Sequence, residues 1–368
     1  AMEELWSQGL YSEAGDAAGR RLAIYRRFYG DDHLMTATAA DELGTLLHMR
    51  GEYELAEPLF LESLEVRRRH LGEKHVYVGA SLNNLGMLYQ SKGDLEAARD
   101  YVESALVVLR EALGENDLNV AAITANLGLL LQSLGDFEGA EKRLLTALRM
   151  RRAILGDDNA QVAESLNALG VLYFDESDFA AAEPFLRRAT AIWRTVLGDD
   201  HPHVALSLTN MGALLSARGE YAEAEEFHRR AVKIYRATLG DDHPDLAHAL
   251  NNLAHALESQ GDYAAAEPVF REALDILRAA FGDEHPEVGD GMYALAHVLQ
   301  EAGRYDEAEP LYREALALHR SAMGERHIAV ATDLSNLASL LEEEGRLDEA
   351  LGLYEDALDI RRSAFGAK

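Results

Sequence analysis

The 368-residue chain has no cysteine, so disulfides and thiolate metal sites are excluded. No apolar run approaches the roughly 20 residues that a membrane-spanning helix requires. The opening residues, AMEELWSQGL, offer neither a basic start nor a long apolar stretch, and a cytoplasmic protein is expected. Basic residues are scarce: 35 Lys and Arg face 64 Asp and Glu, for a formal charge of −29. Nucleic acid and anionic membranes are poor partners for such a surface, because phosphates need cations. The acidity serves either solubility or attraction of a basic partner. Alternating β-branched runs are missing too, which leaves no place for a sheet.

What is present is a repeat. Glycine recurs at a 42-residue step from Gly30 and Gly72 through Gly324 to Gly366. A second series with the same step runs from Gly9 and Gly51 to Gly345, with Ser177 taking one place. Neither register is interrupted, so the array uses the whole chain and leaves no room for a separate catalytic domain. It divides into a partial unit, 1–30, and eight full units from about 31 to 366, forming a single array over 1–368. Each period holds two helical patterns. In 201–240, Val204, Leu208, Met211, Leu214 and Leu215 follow helical spacing up to Gly219. Ala224, Ala231 and Ile234 then mark a second helix that closes at Gly240. Small residues recur where the two helices must approach, at Gly86, Gly128 and Ala254 on the first and at Ala98, Ala140 and Ala266 on the second. The seven prolines occupy only two register positions. Pro202, Pro244 and Pro286 open first helices, where a missing N–H costs nothing. Pro58, Pro184, Pro268 and Pro310 lie early in second helices.

The segments LNNLGMLYQSKGDLEAA (82–98) and YAAAEPVFREALDILRAAFGDEHPEV (263–288) resemble kinesin-light-chain-type tetratricopeptide repeats. The resemblance covers essentially the entire chain. It implies an all-α, right-handed superhelical solenoid of antiparallel helix pairs, whose first helices line a concave peptide-binding groove. Such arrays usually carry a polar capping helix. The chain has none, so it is expected either to be a fragment or to cap itself by end-to-end self-association.

Several recurrent residues have a structural reading. Arginine stands four residues before each loop glycine, as at Arg68 and Arg236, and an acid follows the glycine, as at Glu73 and Asp241. The arginine complements a helix C-terminus and the acid the next N-terminus, so the two are expected to pair locally. Histidine recurs at His33, His75, His201, His243, His285 and His327, with Asp117 and Asn159 replacing it twice. Those replacements fit a helix cap better than a metal ligand. No HExxH, GxSxG, phosphate loop or dinucleotide fingerprint occurs, so neither metal, cofactor nor catalytic residue is assigned.

The resemblance places five positions of each first helix on the groove, which in one unit are Ala80, Asn83, Met87, Gln90 and Ser91. None of the 40 positions generated by the 42-residue step is Lys or Arg, whereas eight are acidic. A carboxylate clamp for an acidic tail is therefore missing, and a neutral or basic protein or peptide ligand is expected. Asn83, Asn167 and Asn251 fall on groove positions, where the resemblance implies contact with a peptide backbone. Their neighbours Asn84, Asn126, Asn210, Asn252 and Asn336 fit bonding between stacked helices better. Phe174 and Tyr293 depart from their columns, as ligand anchors or as local fillers. His255 and His297 complete the candidate set, and binding is expected to concentrate between Asn167 and His297. The expected function is a peptide- or protein-binding scaffold. The alternative is a ligand-sensing regulatory region of a larger multidomain enzyme or signalling ATPase.

Overall fold

The computed structural model describes residues 11–365, which contain 17 helices and no strand. The chain divides into two compact units, one ending at Glu220 and the other beginning at Tyr221. The first holds α1 (Tyr11–Tyr29), α2 (Leu34–Met49), α3 (Tyr53–Leu71), α4 (Val76–Ser91), α5 (Leu95–Leu113), α6 (Leu118–Ser133), α7 (Phe137–Leu155), α8 (Ala160–Asp175), α9 (Phe179–Leu197) and α10 (Pro202–Ala217). The second holds α11 (Tyr221–Leu239), α12 (Pro244–Ser259), α13 (Tyr263–Phe281), α14 (Pro286–Glu301), α15 (Tyr305–Met323), α16 (Ile328–Glu343) and α17 (Leu347–Phe365). Within each unit every helix packs on the next, which makes each an all-α stack of helical hairpins.

Local chemistry explains the boundaries. The histidine column caps the first helices: Nδ1 of His33, His75, His201, His243, His285 and His327 accepts the N–H two residues on, at 3.1–3.2 Å. Asp117 and Asn159 do the same with a carboxylate and an amide oxygen, at 2.7 and 2.9 Å. Second helices are capped by Asp94, Asp136, Asp178 and Asp262, each accepting the N–H three residues on.

The two glycine series are not equivalent. Loop glycines such as Gly114 (φ 82, ψ 173) sit in a region essentially closed to other residues, and none is replaced. The glycines between the helices of a hairpin end a six-to-one turn, as in Asp94 N–H to Tyr89 C=O at 2.9 Å. Ser177 fills that place with φ 62. The prolines at Pro58, Pro184, Pro268 and Pro310 lie inside their helices, which continue through them.

The core sits between hairpins. Leu85, Leu88, Leu127 and Leu130 are fully buried in the first unit, and Phe270, Met292 and Tyr312 in the second. Close approach needs the small column: a Cβ on Gly86 would lie 2.5 Å from Val102, and one on Gly128 would lie 2.8 Å from Leu144. A buried polar contact also recurs 14 residues apart across hairpins. Arg67 donates to Ser81 at 2.6 Å and Arg151 to Ser165 at 2.9 Å, and the His319 ring meets Asp333 at 2.6 Å.

The expected loop pairs form in all eight places where arginine and acid occur together, from Arg26–Asp31 to Arg320–Glu325, at 3.0–3.5 Å. Several of these arginine Nε atoms are within range of the carboxylate but not aligned for a hydrogen bond. The acids are exposed, so each pair contributes little to stability.

Candidate functional site

The first helices carry a ladder of side-chain bonds between residues 43 apart, one repeat plus one residue. Asn84 donates to Asp41 at 3.2 Å, Asn126 to Asn83 at 3.1 Å and Asn210 to Asn167 at 2.8 Å. A second rung joins His48 to Ser91 at 2.7 Å, Gln90 to Ser133 at 3.5 Å and Gln132 to Asp175 at 2.5 Å. The periodicity causes this: two helices offset by one residue bring equivalent short amides within reach.

Asn83 and Asn167 thus already have partners. Each Oδ1 accepts from the asparagine column that sequence reasoning had kept apart for stacking. Asn83 also directs its Nδ2 at the Met87 sulfur, 3.6 Å away. Beside these amides stand Met87 and Leu129, 45% and 40% exposed, and the half-buried Val171. The half-buried Phe174 turns its ring toward Phe179 at 5.6 Å, across the end of its own hairpin. In the first unit the candidates therefore lie on α4 and α8, with α6 between, and do not converge on one point.

In the second unit three candidates converge. His255 Nδ1 lies 3.0 Å from one oxygen of Glu258, and His297 Nδ1 lies 2.7 Å from the other. Tyr293 stands beside His297 with ring centres 6.3 Å apart, and 5.8 Å from Tyr312. His255 meets Phe270 edge-on at 4.9 Å. Burial alone would raise the Glu258 carboxyl, but bonds from His255 and His297 outweigh it and hold it at about 2. The Glu258 bond in turn raises the His297 pKa. His228 is buried near this group and its Nδ1 has no hydrogen-bond partner; burial lowers its pKa to about 4.

Asn251 does not join the ladder. Residue 294, where its partner would stand, is alanine, and the Asn251 Oδ1 is buried with no hydrogen-bond partner. An unpaired buried carbonyl costs about 1–3 kcal/mol.

Sequence reasoning counted Glu258 among the acidic groove positions without selecting it. Its signal was available: it stands three residues after His255 on one helix face. His248 meets Glu287 at 3.0 Å. Among the described residues no group of three or more His, Asp or Glu is arranged to hold a metal, and no helix is long and apolar enough to cross a membrane.

A family model described as tetratricopeptide repeat matches 5–69, 40–111, 77–153, 119–195, 163–237, 203–279 and 287–363. No curated protein sequence matches the chain. Among solved structures, BtubC (BKLC) from P. vanneervenii is 28% identical, with TM-score 0.52, over 62% of this chain and 92% of that one. A putative kinesin light chain of nearly identical TPR-like repeats from Podosopora anserina is 23% identical, with TM-score 0.48, over 57% of this chain and 99% of that one. A Rap protein complexed with competence and sporulation factor is 14% identical, with TM-score 0.65, over 99% of this chain and 96% of that one.

Proposed function

The chain belongs to the tetratricopeptide repeat family, and from that premise we propose that it is a scaffold, not an enzyme, that binds neutral or basic protein segments along its first helices. We read the uninterrupted 42-residue register as one array. The observation that carries the reading is the chemistry of the first-helix columns. They combine exposed Met87 and Leu129 with amide rungs, an unpaired Asn251 carbonyl and the Glu258 carboxylate, and they contain no Lys or Arg. In the first unit an extended segment supplies apolar side chains for the exposed methionine and leucine, and in the second it supplies positive charge for the Glu258 carboxylate.

The uniform groove of the repeat pattern thereby becomes two chemistries. Around Asn83, Asn167 and Phe174 the ligand meets apolar side chains and amides already bonded to one another. Around Asn251, His255, Tyr293 and His297 it meets a negative centre, the Glu258 carboxylate flanked by two imidazoles. The test is fluorescence titration with length-matched acidic and basic peptides, repeated with Asn251→Ala and Tyr293→Ala. The basic peptide is expected to bind more tightly, with an advantage that shrinks as salt is added. Both substitutions are expected to weaken it while helicity stays unchanged. Tighter binding of the acidic peptide, or full affinity in both variants, refutes the reading.

A further inference from the structure

We propose that His255, Glu258 and His297 form a proton-gated acceptor for one lysine or arginine side chain, open when both imidazoles are neutral and closed when both are protonated. The inference deepens the peptide-binding reading and rests on it: it names the ligand group that this centre takes and what regulates it. The placement is particular to two helices. At the register of His255 and His297 the other described first helices carry Thr45, Met87, Leu129, Val171, Ala213 and Ser339, none of them charged. Histidine comes to this register on α12 and α14, the two helices that close on Glu258.

Each Nδ1 lies against a different oxygen of Glu258, and Nε2 of neither ring has a hydrogen-bond partner among the described residues. The His255 and His297 side chains are 50% and 39% exposed and that of Glu258 only 12%, so a ligand reaches the carboxylate past the imidazoles. That order makes the rings a gate. With Nδ1–H on the carboxylate, a neutral imidazole offers Nε2 as an acceptor; protonated, it has a donor at each nitrogen and no acceptor. Two neutral rings therefore show a ligand two lone pairs with the negative charge of Glu258 behind them. Two protonated rings show it only donors, and the cluster passes from one net negative charge to one net positive charge. Ammonium and guanidinium groups have donors and no acceptor, so they fit the first state and are repelled by the second.

The groups around the cluster leave the switching to these two rings. Glu258, held at about 2, stays ionised wherever histidine changes charge. On α11, burial keeps His228 neutral, with a pKa of about 4. Burial pushes up Tyr293 on α14 and Tyr312 on α15, and the charge of Glu301 pushes up Tyr263 on α13. His297 is raised by its Glu258 bond, against burial, and further by the negative charges of Glu301 on α14 and Glu343 on α16.

The test is fluorescence titration of the full chain with the basic peptide at about pH 6 and about pH 8, at constant salt and with helicity confirmed at both. Release of one proton on binding changes affinity by up to about tenfold per pH unit. The basic peptide is expected to bind at least about fivefold more tightly at the higher pH. A counterpart with glutamine in place of each lysine is expected to show little of that rise. Glutamine at both histidine positions keeps a donor for Glu258 but cannot become charged. The double variant His255→Gln, His297→Gln is therefore expected to bind at about pH 6 as the parent does at about pH 8. Glu258→Gln is expected to lose the tight binding at the higher pH. Equal affinity of the parent at both pH values overturns the gate, as does a double variant that keeps the parent's pH dependence. In both cases the peptide is bound, so the binding reading stands. A basic peptide that fails to bind at about pH 8 removes that reading and the gate with it.

Discussion

Replacing Gly86 by alanine tests whether close helix approach, rather than helix propensity, governs the small column. Alanine is the better helix former by about 1 kcal/mol, so an exposed site should gain from the change. At Gly86, however, the added Cβ would lie 2.5 Å from Val102 Cγ2 and 3.3 Å from the Ala98 carbonyl oxygen. Carbon atoms rest about 3.5–4.0 Å apart, so an overlap near 1 Å must be relieved. Val102 is buried and β-branched, and its stiff χ1 leaves no low-energy rotation that clears the space. Overpacking of this kind costs about 1–3 kcal/mol, which exceeds the propensity gain. Gly86→Ala should therefore be destabilising by about 1 kcal/mol. Gly352 is the control, because a Cβ there meets nothing within 4 Å. Gly352→Ala should stabilise by about 0.5–1 kcal/mol. Urea unfolding followed by helical circular dichroism reads both, and the Gly86 penalty should shrink in a Val102→Ala background. A Gly86→Ala midpoint at or above the parent's, or a penalty undiminished without Val102, refutes the packing argument.

Four further outcomes are expected. His243→Ala should cost about 1 kcal/mol of stability by removing a helix cap, whereas His243→Asp should retain most of it, as Asp117 does naturally; equal melting of the two variants counts against the capping role. Burial lowers the pKa of His201, His243 and His327, so their contribution is present above the ordinary histidine value and is lost as pH falls through the depressed ones; a stability profile flat across that acid limb contradicts it. His319 is the opposite case: burial disfavours its charge, but the Asp333 bond prevails and raises its pKa, with Nε2 donating to the Pro286 carbonyl at 3.0 Å. Its stabilisation is full below the ordinary histidine value and is lost as pH rises through the elevated one, and Asp333→Asn should shrink that alkaline loss, leaving the part that Asp290, 3.6 Å from Nε2, supports. Glu258→Gln should return the His297 pKa toward its ordinary value, read by NMR titration of the ring; an unmoved His297 would mean that Glu258 does not hold it.

Much of this protein was legible from spacing alone. A 42-residue step with two glycine series determines helix pairs, because the φ that Gly114 adopts stops a helix wherever the chain places it. The histidine column could be read as caps because aspartate and asparagine replace it, and all three side chains share an acceptor at the needed distance. The loop pairs were legible because arginine and acid are five residues apart across a single turn. What the sequence could not decide was which polar residues are free. Asn83, Asn167 and Asn251 look alike in a column. Only helix stacking, with its one-residue offset, gives the first two a partner from the next repeat and leaves the Asn251 carbonyl without one. Glu258 likewise became a centre only when two packed helices brought His297 to the carboxylate that His255 already holds from its own helix. Covalent periodicity determines which residue types recur and where helices stop. Hydrogen bonds between different helices depend on offsets of a few ångströms, and packing alone sets those.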